Sequence, residues 1–501
     1  MDLELKWRDL TWFEVLGRAT ATHEEALETA IPEYCPDMNR IVDATGQLQI
    51  RDREITGGAV MVSGMVSVRV LYSSEESSGL RSLEVSVPFR CTQEGGNLAA
   101  CRVLRAEGRL LLTEAKAVSA RRLYVRVLPE VTVTGYGEMH GRLCCAAEGD
   151  ASLAVRTRET PLRLLSAVAE KQCPFTQETM LQTGQETPEE VLADRLTLRV
   201  TDWQNVGTKL LVKGEARLCV LYRGEQQGLC IHEAALPFSQ ILDGIEAAED
   251  GECAVEPRVI EAQTRVLRTE GACGFGVSAQ VSLFVRQWRQ ERVQLVEDLY
   301  STRADTAIRR EPVRIAFERP LPPVEQETVQ KLEFGRGQPL VYLTELECSP
   351  VSQAPEGDHN TLRTTVRMKL VYQDESGSPV SAERTAEVSA PMSAAPDAVF
   401  ARCGQAECRP TAGGCELHIP VQMHMVRREQ TQLDAICGAE LSEPAEQERA
   451  PSLVLRRMAL GETLWDVAKQ YRTREELIRG ANRLEEDDDH PAGMLLIPRA
   501  R

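Results

Sequence analysis

V-S-G-M-V-S-V-R-V-L-Y, residues 62–72, keeps one character at every second position. One parity (Val62, Gly64, Val66, Val68, Val70, Tyr72) is apolar or small. The pattern returns as V-K-G-E-A-R-L-C-V-L-Y at residues 212–222 and as L-R-T-T-V-R-M-K-L-V-Y at residues 362–372. In these copies the opposite parity is largely polar: Lys213, Glu215 and Arg217, then Arg363, Thr365, Arg367 and Lys369. Period-two alternation marks a β-strand with one buried face. Tyr72, Tyr222 and Tyr372 stand 150 residues apart, so most of the chain is a tandem array of β units.

Each tyrosine is followed by a polar turn, at 73–79, 223–228 and 373–377, and then by a second strand carrying a proline near its end (Pro88, Pro237, Pro391). Each unit therefore contains a β-hairpin of matching design. Further short strands with Gly and Pro punctuation imply sandwiches or barrels. A repeat this long is an array of domains, each large enough to close its own core, since solenoid units run to 20–50 residues. The expected division is 1–158, 159–308 and 309–437, with charged Arg/Glu/Thr stretches near 158 and 308 interrupting the strands. A solvated linker, 438–451, then leads to a small module at 452–501.

The module is legible on its own. Leu464, Val467, Ala468 and Tyr471 fall at helical spacing. Thr463 precedes Asp466, and Thr473 precedes Glu476, each by three positions, so both helices are expected to open with a capping box. The apolar run Met494 to Ile497 suits a closing strand. This βααβ order, with G-E-T-L-W at 461–465, resembles a LysM domain. That family binds N-acetylglucosamine-containing glycans such as peptidoglycan and chitin, and in some members proteins.

By position, the resemblance implies a groove lined by Gly461, Glu462, Thr463 and Leu464 on one side. Asn482, Arg483, Leu484, Met494 and Leu495 form the other. Two features depart from the family: P-A-G at 491–493 in place of P-G, and the acidic run 485–489 beside the groove. Arg472, Arg474, Arg479 and Arg483 gather on or near the second helix, giving a bipolar surface that suits a protein partner as well as a sugar chain. Trp465 is expected to anchor the module's core.

The first unit opens I-P-E-Y-C-P-D-M-N-R-I-V-D at 31–43 and runs through I-T-G-G-A-V-M-V-S-G to the alternating strand. It resembles the SPOCS domain of spore-coat proteins from endospore-forming bacteria. The third unit is more divergent, with Thr364 where the others have glycine. Tandem SPOCS-like units followed by a LysM module is a layout of spore-coat morphogenetic proteins. What this resemblance implies is a scaffold in the mother-cell cytoplasm, contacting a SpoIVA-like coat ATPase and other coat proteins at the forespore surface. A peptidoglycan- or chitin-binding protein of the wall or cortex is the other reading.

Composition narrows the choice. The chain has 42% hydrophobic and 27% charged residues, in the range of folded globular proteins. A net charge of −18 opposes nucleic-acid binding, which needs a basic face. M-D-L-E-L-K-W-R-D-L at the start lacks the features of a secretory signal, and no apolar window is long enough for a transmembrane segment. Fifteen cysteines without a C-x-x-C pair are expected to be reduced thiols. Cys403, Cys408 and Cys415 lack the spacing of a zinc site. No H-E-x-x-H, G-x-S-x-G or Walker loop occurs, so the expectation is a protein without catalytic residues, metal or cofactor.

Overall fold

The computed structural model describes residues 3–74, 79–226, 228–245, 251–269, 272–333, 340–356, 359–374, 376–392, 395–411, 413–443, 453–485, 488–491 and 493–498. The chain is mainly β, as its alternation requires. The first unit holds β1 (Glu4–Thr22), β2 (Glu25–Ala30), β3 (Arg40–Thr56), β4 (Ala59–Ser73), β5 (Leu80–Gln93), β6 (Val103–Ser119) and β7 (Arg122–Glu148). The second holds β8 (Leu153–Met180), β9 (Pro188–Val206), β10 (Lys209–Gly224), β11 (Leu229–Asp243), β12 (Glu252–Thr269) and β13 (Ala272–Ser301). The third holds β14 (Asp305–Glu333), β15 (Val341–Cys348), β16 (Ser352–Glu356), β17 (His359–Gln373), β18 (Pro379–Met392), β19 (Ala398–Cys403), β20 (Glu407–Thr411) and β21 (Gly414–Ser442). The C-terminal module follows as β22 (Leu453–Arg457), α1 (Leu464–Gln470), α2 (Glu475–Asn482) and β23 (Met494–Pro498).

One strand order serves all three units. An antiparallel meander (β3-β4-β5, β9-β10-β11, then β15/β16-β17-β18) forms one layer. The other layer pairs the unit's last strand with its first and with the strand before it: β1/β2-β7-β6, β8-β13-β12 and β14-β21-β19/β20. The expected hairpins are β4-β5, β10-β11 and β17-β18. Each quoted strand is the centre of its meander, and its apolar parity fills its unit's core. Val62, Val66, Val68, Val70 and Tyr72 are fully buried in the first, with Val212, Ala216, Val220 and Tyr222 buried in the second. A buried phenol needs an acceptor. Tyr72 Oη donates to Pro36 O at 3.3 Å and Tyr222 Oη to Glu186 O at 3.1 Å, 150 residues further on.

The opposite parity is not simply solvated. Leu71, Leu221 and Val371, each preceding its tyrosine, are buried together with Leu80, Leu192 and Tyr342 in one core shared by all three units. Charged residues of the same parity tie the units pairwise. Arg69 of β4 bonds Asp194 of β9, and Lys369 Nζ of β17 lies 2.9 Å from Asp43 Oδ1 of β3. With the shared core, these contacts close the three meanders into a ring.

The first and last strands are longer than a single sandwich needs. Their far ends form three two-stranded ribbons that meet in a second shared core: Leu10 and Trp12, Leu143, Leu162 and Leu164, Val293 and Leu295, Ile315, Leu433 and Ala435. This corrects the expected strand interruptions near 158 and 308. Both positions fall inside unbroken strands, β8 and β14, because neighbouring Leu162, Leu164 and Ile315 are drawn into that core. The turns between units lie instead at 149–152 and 302–304. Of the expected linker, residues 438–442 belong to β21 and residues 444–451 lie outside the described residues.

Between the two shared cores, arginines from all three units converge on one carboxylate. Glu256 receives Arg105 at 2.7 Å, Arg286 at 2.8 Å and Arg402 at 2.6 Å. Burial alone would raise the Glu256 carboxyl, but Arg105, Arg286 and Arg402 outweigh it and hold the group far below the usual carboxylate range. With its folded pKa depressed, Glu256 contributes fully above the ordinary glutamate value of about 4.3, and that contribution fades as pH falls below it. Glu256→Gln should therefore lower the melting temperature at pH 7, and the gap to the parent protein should narrow below about pH 4. A gap independent of pH would show that the cluster adds nothing through charge.

The repeated glycine has a steric cause. A Cβ at Gly64 would lie 2.2 Å from Gln49 O, and one at Gly214 would lie 2.1 Å from Arg199 O. Both glycines face a register shift in the neighbouring strand. In the third unit that strand breaks between β15 and β16, which makes room for Thr364, whose hydroxyl donates to Ser349 O at 2.7 Å. Gly214→Ala should cost about 1–3 kcal/mol through overpacking, read as faster hydrogen exchange across β9 and β10. Unchanged exchange there would mean that the β9 backbone yields without cost.

Candidate partner-binding site

The C-terminal module is a two-stranded antiparallel sheet, β22-β23, carrying two helices. Leu464, Val467, Ala468, Ile478, Leu495 and Ile497 form its core. The first capping box is present: Asp466 N donates to Thr463 Oγ1, and Thr463 N donates to Asp466 Oδ2. The second is not. The N-cap of α2 is Arg474, without a side-chain cap, and Thr473 is fully buried, donating to Pro498 O at 2.5 Å. Tying the helix entry to β23 outweighs capping at this position.

Most residues of the implied groove are committed to the module's own structure. Leu464 and Leu495 are core residues, and Leu484 packs against them. Glu462 takes a two-pronged bond from Arg456 at 2.7 and 2.9 Å. Asn482 donates to Leu496 O and accepts from Leu496 N, pinning the end of α2 to β23. The two loops flanking the groove are bonded to each other: Leu464 N donates to Asp489 O at 3.1 Å, and the His490 ring meets Glu462 O at 2.9 Å. Thr463 is half-buried, while Gly461, Arg483 and Met494 remain exposed, with Met494 at 62%.

The arginines divide into two groups. Arg479 gathers the acidic loop, donating to Glu485 O and Asp488 O and pairing with Asp489 and Glu475. The opposite charges that made the surface look bipolar thus partly satisfy one another. Glu486 and Asp487 of the acidic run lie outside the described residues. Arg472 and Arg474 turn toward the β body, pairing with Asp305 and with Ala151 O.

These contacts belong to an interface that the sequence reading missed. Trp465 is the expected anchor, 7% exposed, but part of its cover is foreign to the module. Its ring stands edge-on to Tyr300 at 4.8 Å, and its Nε1 donates to Asp298 Oδ2 at 2.8 Å. Lys469, one turn along α1, also reaches Asp298, at 2.6 Å. Tyr300 Oη donates to Thr473 O at 2.7 Å. The module is therefore seated on the turns between units. A signal did exist: Tyr300 has no counterpart at position 150, where Asp150 stands, so it breaks the repeat without serving a unit core.

Among the described residues no cluster of three His, Cys, Asp or Glu suits a metal ion, and no helix is long and apolar enough to cross a membrane. At the junction of the three ribbons lies a cavity of about 220 Å³ walled by Phe13, Tyr136, Leu165, Trp288 and Phe317. Glu14, Arg286, Glu318 and Arg428 also line it, so charged groups stand beside the aromatic packing surface.

Against this geometry, the family model described as SipL, SPOCS domain matches residues 37–97 and 188–267. Over these two stretches the chain is similar to the SPOCS domain of SipL. The matched stretches begin just before β3 and at β9, and contain the meanders of the first two SPOCS units with the ring-forming Leu71 and Leu221. No curated protein and no solved structure matches the chain. The SPOCS family ties the protein to sporulation.

Two substitutions separate folding of the module from its seating. Trp465→Ala removes a buried aromatic worth about 3–5 kcal/mol, against roughly 2.5–7.5 kcal/mol for a fifty-residue module, and should unfold residues 464–482. Asp298→Ala should leave that segment protected from hydrogen exchange while releasing protection around Tyr300. If Asp298→Ala changes neither region, the seat does not depend on this carboxylate.

Proposed function

We propose that this protein is a non-enzymatic scaffold or adaptor of spore-coat assembly. It works in the mother-cell cytoplasm, where its LysM-like module holds a SpoIVA-like coat ATPase and so brings coat proteins to the forespore surface. The match to the SipL SPOCS domain carries the reading. The build of the chain supports it. Three β units locked through two shared cores make a stiff body, and a scaffold needs a fixed frame on which to present a binding module. A glycan-binding role in the wall or cortex draws on the βααβ order alone. It fits less well with a groove whose loops bond each other beside several acids, since like charges repel an anionic wall polymer at short range.

With the module seated, the groove edge bearing Gly461, Arg483 and Met494 stays open to a partner. Arg472 and Arg474 are turned toward the body, so a partner using them has to displace the module. Arg483→Glu and Met494→Asp alter exposed side chains and should leave the fold intact. Each should weaken binding of the full chain to the coat ATPase by tenfold or more, and wild-type association should slow as salt rises. Unchanged binding in both variants would exclude the groove edge. Saturable binding to chitin oligomers or peptidoglycan, with none to the coat ATPase, would move the function to the wall.

A further inference from the structure

At one place in the third unit, two sulfurs stand where the other units have hydrocarbon. Register fixes the equivalence. Leu48 of β3 pairs with Val66, Leu198 of β9 with Ala216, and Cys348 of β15 with Val366. In the facing layer Gly108 of β6 pairs with Val131, Val259 of β12 with Val281, and Cys403 of β19 with Val421. Val131, Val281 and Val421 each lie twelve residues before a member of the second shared core, Leu143, Val293 and Leu433.

In the first unit this spot is closed by Leu48 lying over Gly108, whose added Cβ would come within 2.2 Å of Leu48 Cδ2. In the second, Leu198 and Val259 pack against one core. In the third, Cys348 Sγ and Cys403 Sγ are 2.9 Å apart. A disulfide bond of about 2.05 Å is reached from there by a shift of less than one ångström.

The location gives the pair a role. The single strands β3 and β6, 17 residues each, are replaced in the third unit by fragments: β15 and β16 of 8 and 5 residues, β19 and β20 of 6 and 5. Cys348 is the last residue of β15 and Cys403 the last of β19. A covalent link between them would join the two layers where both ladders stop.

We infer that Cys348 and Cys403 are a modification site, a dithiol that closes to an intrachain disulfide when the chain meets a small-molecule disulfide such as oxidised glutathione. Both thiols are half-buried, which leaves the oxidant a path. The Cys348 thiolate attacks one glutathione sulfur, and the other leaves as a thiol. The Cys403 thiolate then attacks Cys348 Sγ and displaces the second glutathione. Two protein thiols are oxidised to one disulfide, and one glutathione disulfide is reduced to two thiols. The order follows from the hydrogen bond between the sulfurs, which lowers the Cys348 thiol below its ordinary value. Burial pushes Cys144 up to about 11 and Cys219, Cys253 and Cys415 up to about 12, making each a poorer nucleophile.

The test uses the full chain, treated with one equivalent of oxidised glutathione, quenched with acid, alkylated after denaturation and mapped by mass spectrometry. The expected result is a fall from fifteen alkylated cysteines to thirteen, with one linked peptide joining Cys348 to Cys403. In Cys403→Ser the resolving thiol is absent, so Cys348 should carry a trapped glutathione. Full alkylation of both cysteines, or earlier formation of any other pair, would overturn the inference.

Discussion

Burying both sides of the same β-strand is the constraint on which the rest of the body depends. A strand has only two faces, and alternation assigns them without ambiguity. In β4, β10 and β17 the tyrosine parity fills the unit's own core, and the residues before the tyrosines fill a core common to all units. Each meander is then covered on one face by its unit's second layer and, at its end, by its neighbours. A register slip of one residue would exchange these two sets. It would bring Arg69 or Lys369 into a unit core, and so the register is fixed from both sides.

Closing a ring asks more of the polar residues than an open array would. Arg69 with Asp194 and Lys369 with Asp43 join successive units, and Glu256 binds an arginine from each. Buried ion pairs often add little net stability, because desolvation offsets their attraction. Their geometric demand is what matters here. An apolar contact tolerates a small rotation, whereas three guanidinium groups on one carboxylate do not. The aliphatic cores supply the bulk of the association, and the charged pairs fix the angle at which the units meet.

The sequence reveals what local periodicity encodes and hides what only the closed ring creates. The central strands, their hairpins and the first capping box were legible because each depends on neighbours within a few residues. The fate of Leu221 and Val371 was not, since an apolar residue on a polar parity is common on any surface. The charged stretches near 158 and 308 suggested breaks, yet a strand interior accepts exposed charges when its other parity is buried. Thr473 looked like a cap because T-x-x-E is a capping pattern, and its burial against Pro498 O depends on β23, twenty-five residues on.

The same limit explains the module. Trp465 could be placed in a core from its motif, but a partner in Tyr300 and Asp298, more than 160 residues earlier, leaves no trace in local spacing. What the sequence shows as a cluster of arginines is, in the fold, two separate devices. Arg479 restrains the acidic loop, and Arg472 and Arg474 face the body. Counting charge along a helix therefore overstates what a partner would meet. Seating also changes the energetics of recognition. A partner that binds the exposed groove edge keeps the contacts to Asp298 and Tyr300. One that needs the arginine face must first break a buried phenol hydrogen bond, an indole–carboxylate bond and a lysine ion pair. Under the proposed function, binding at the open edge of a module held at fixed orientation would avoid that cost, and the ring of β units beneath would fix the position of the bound partner.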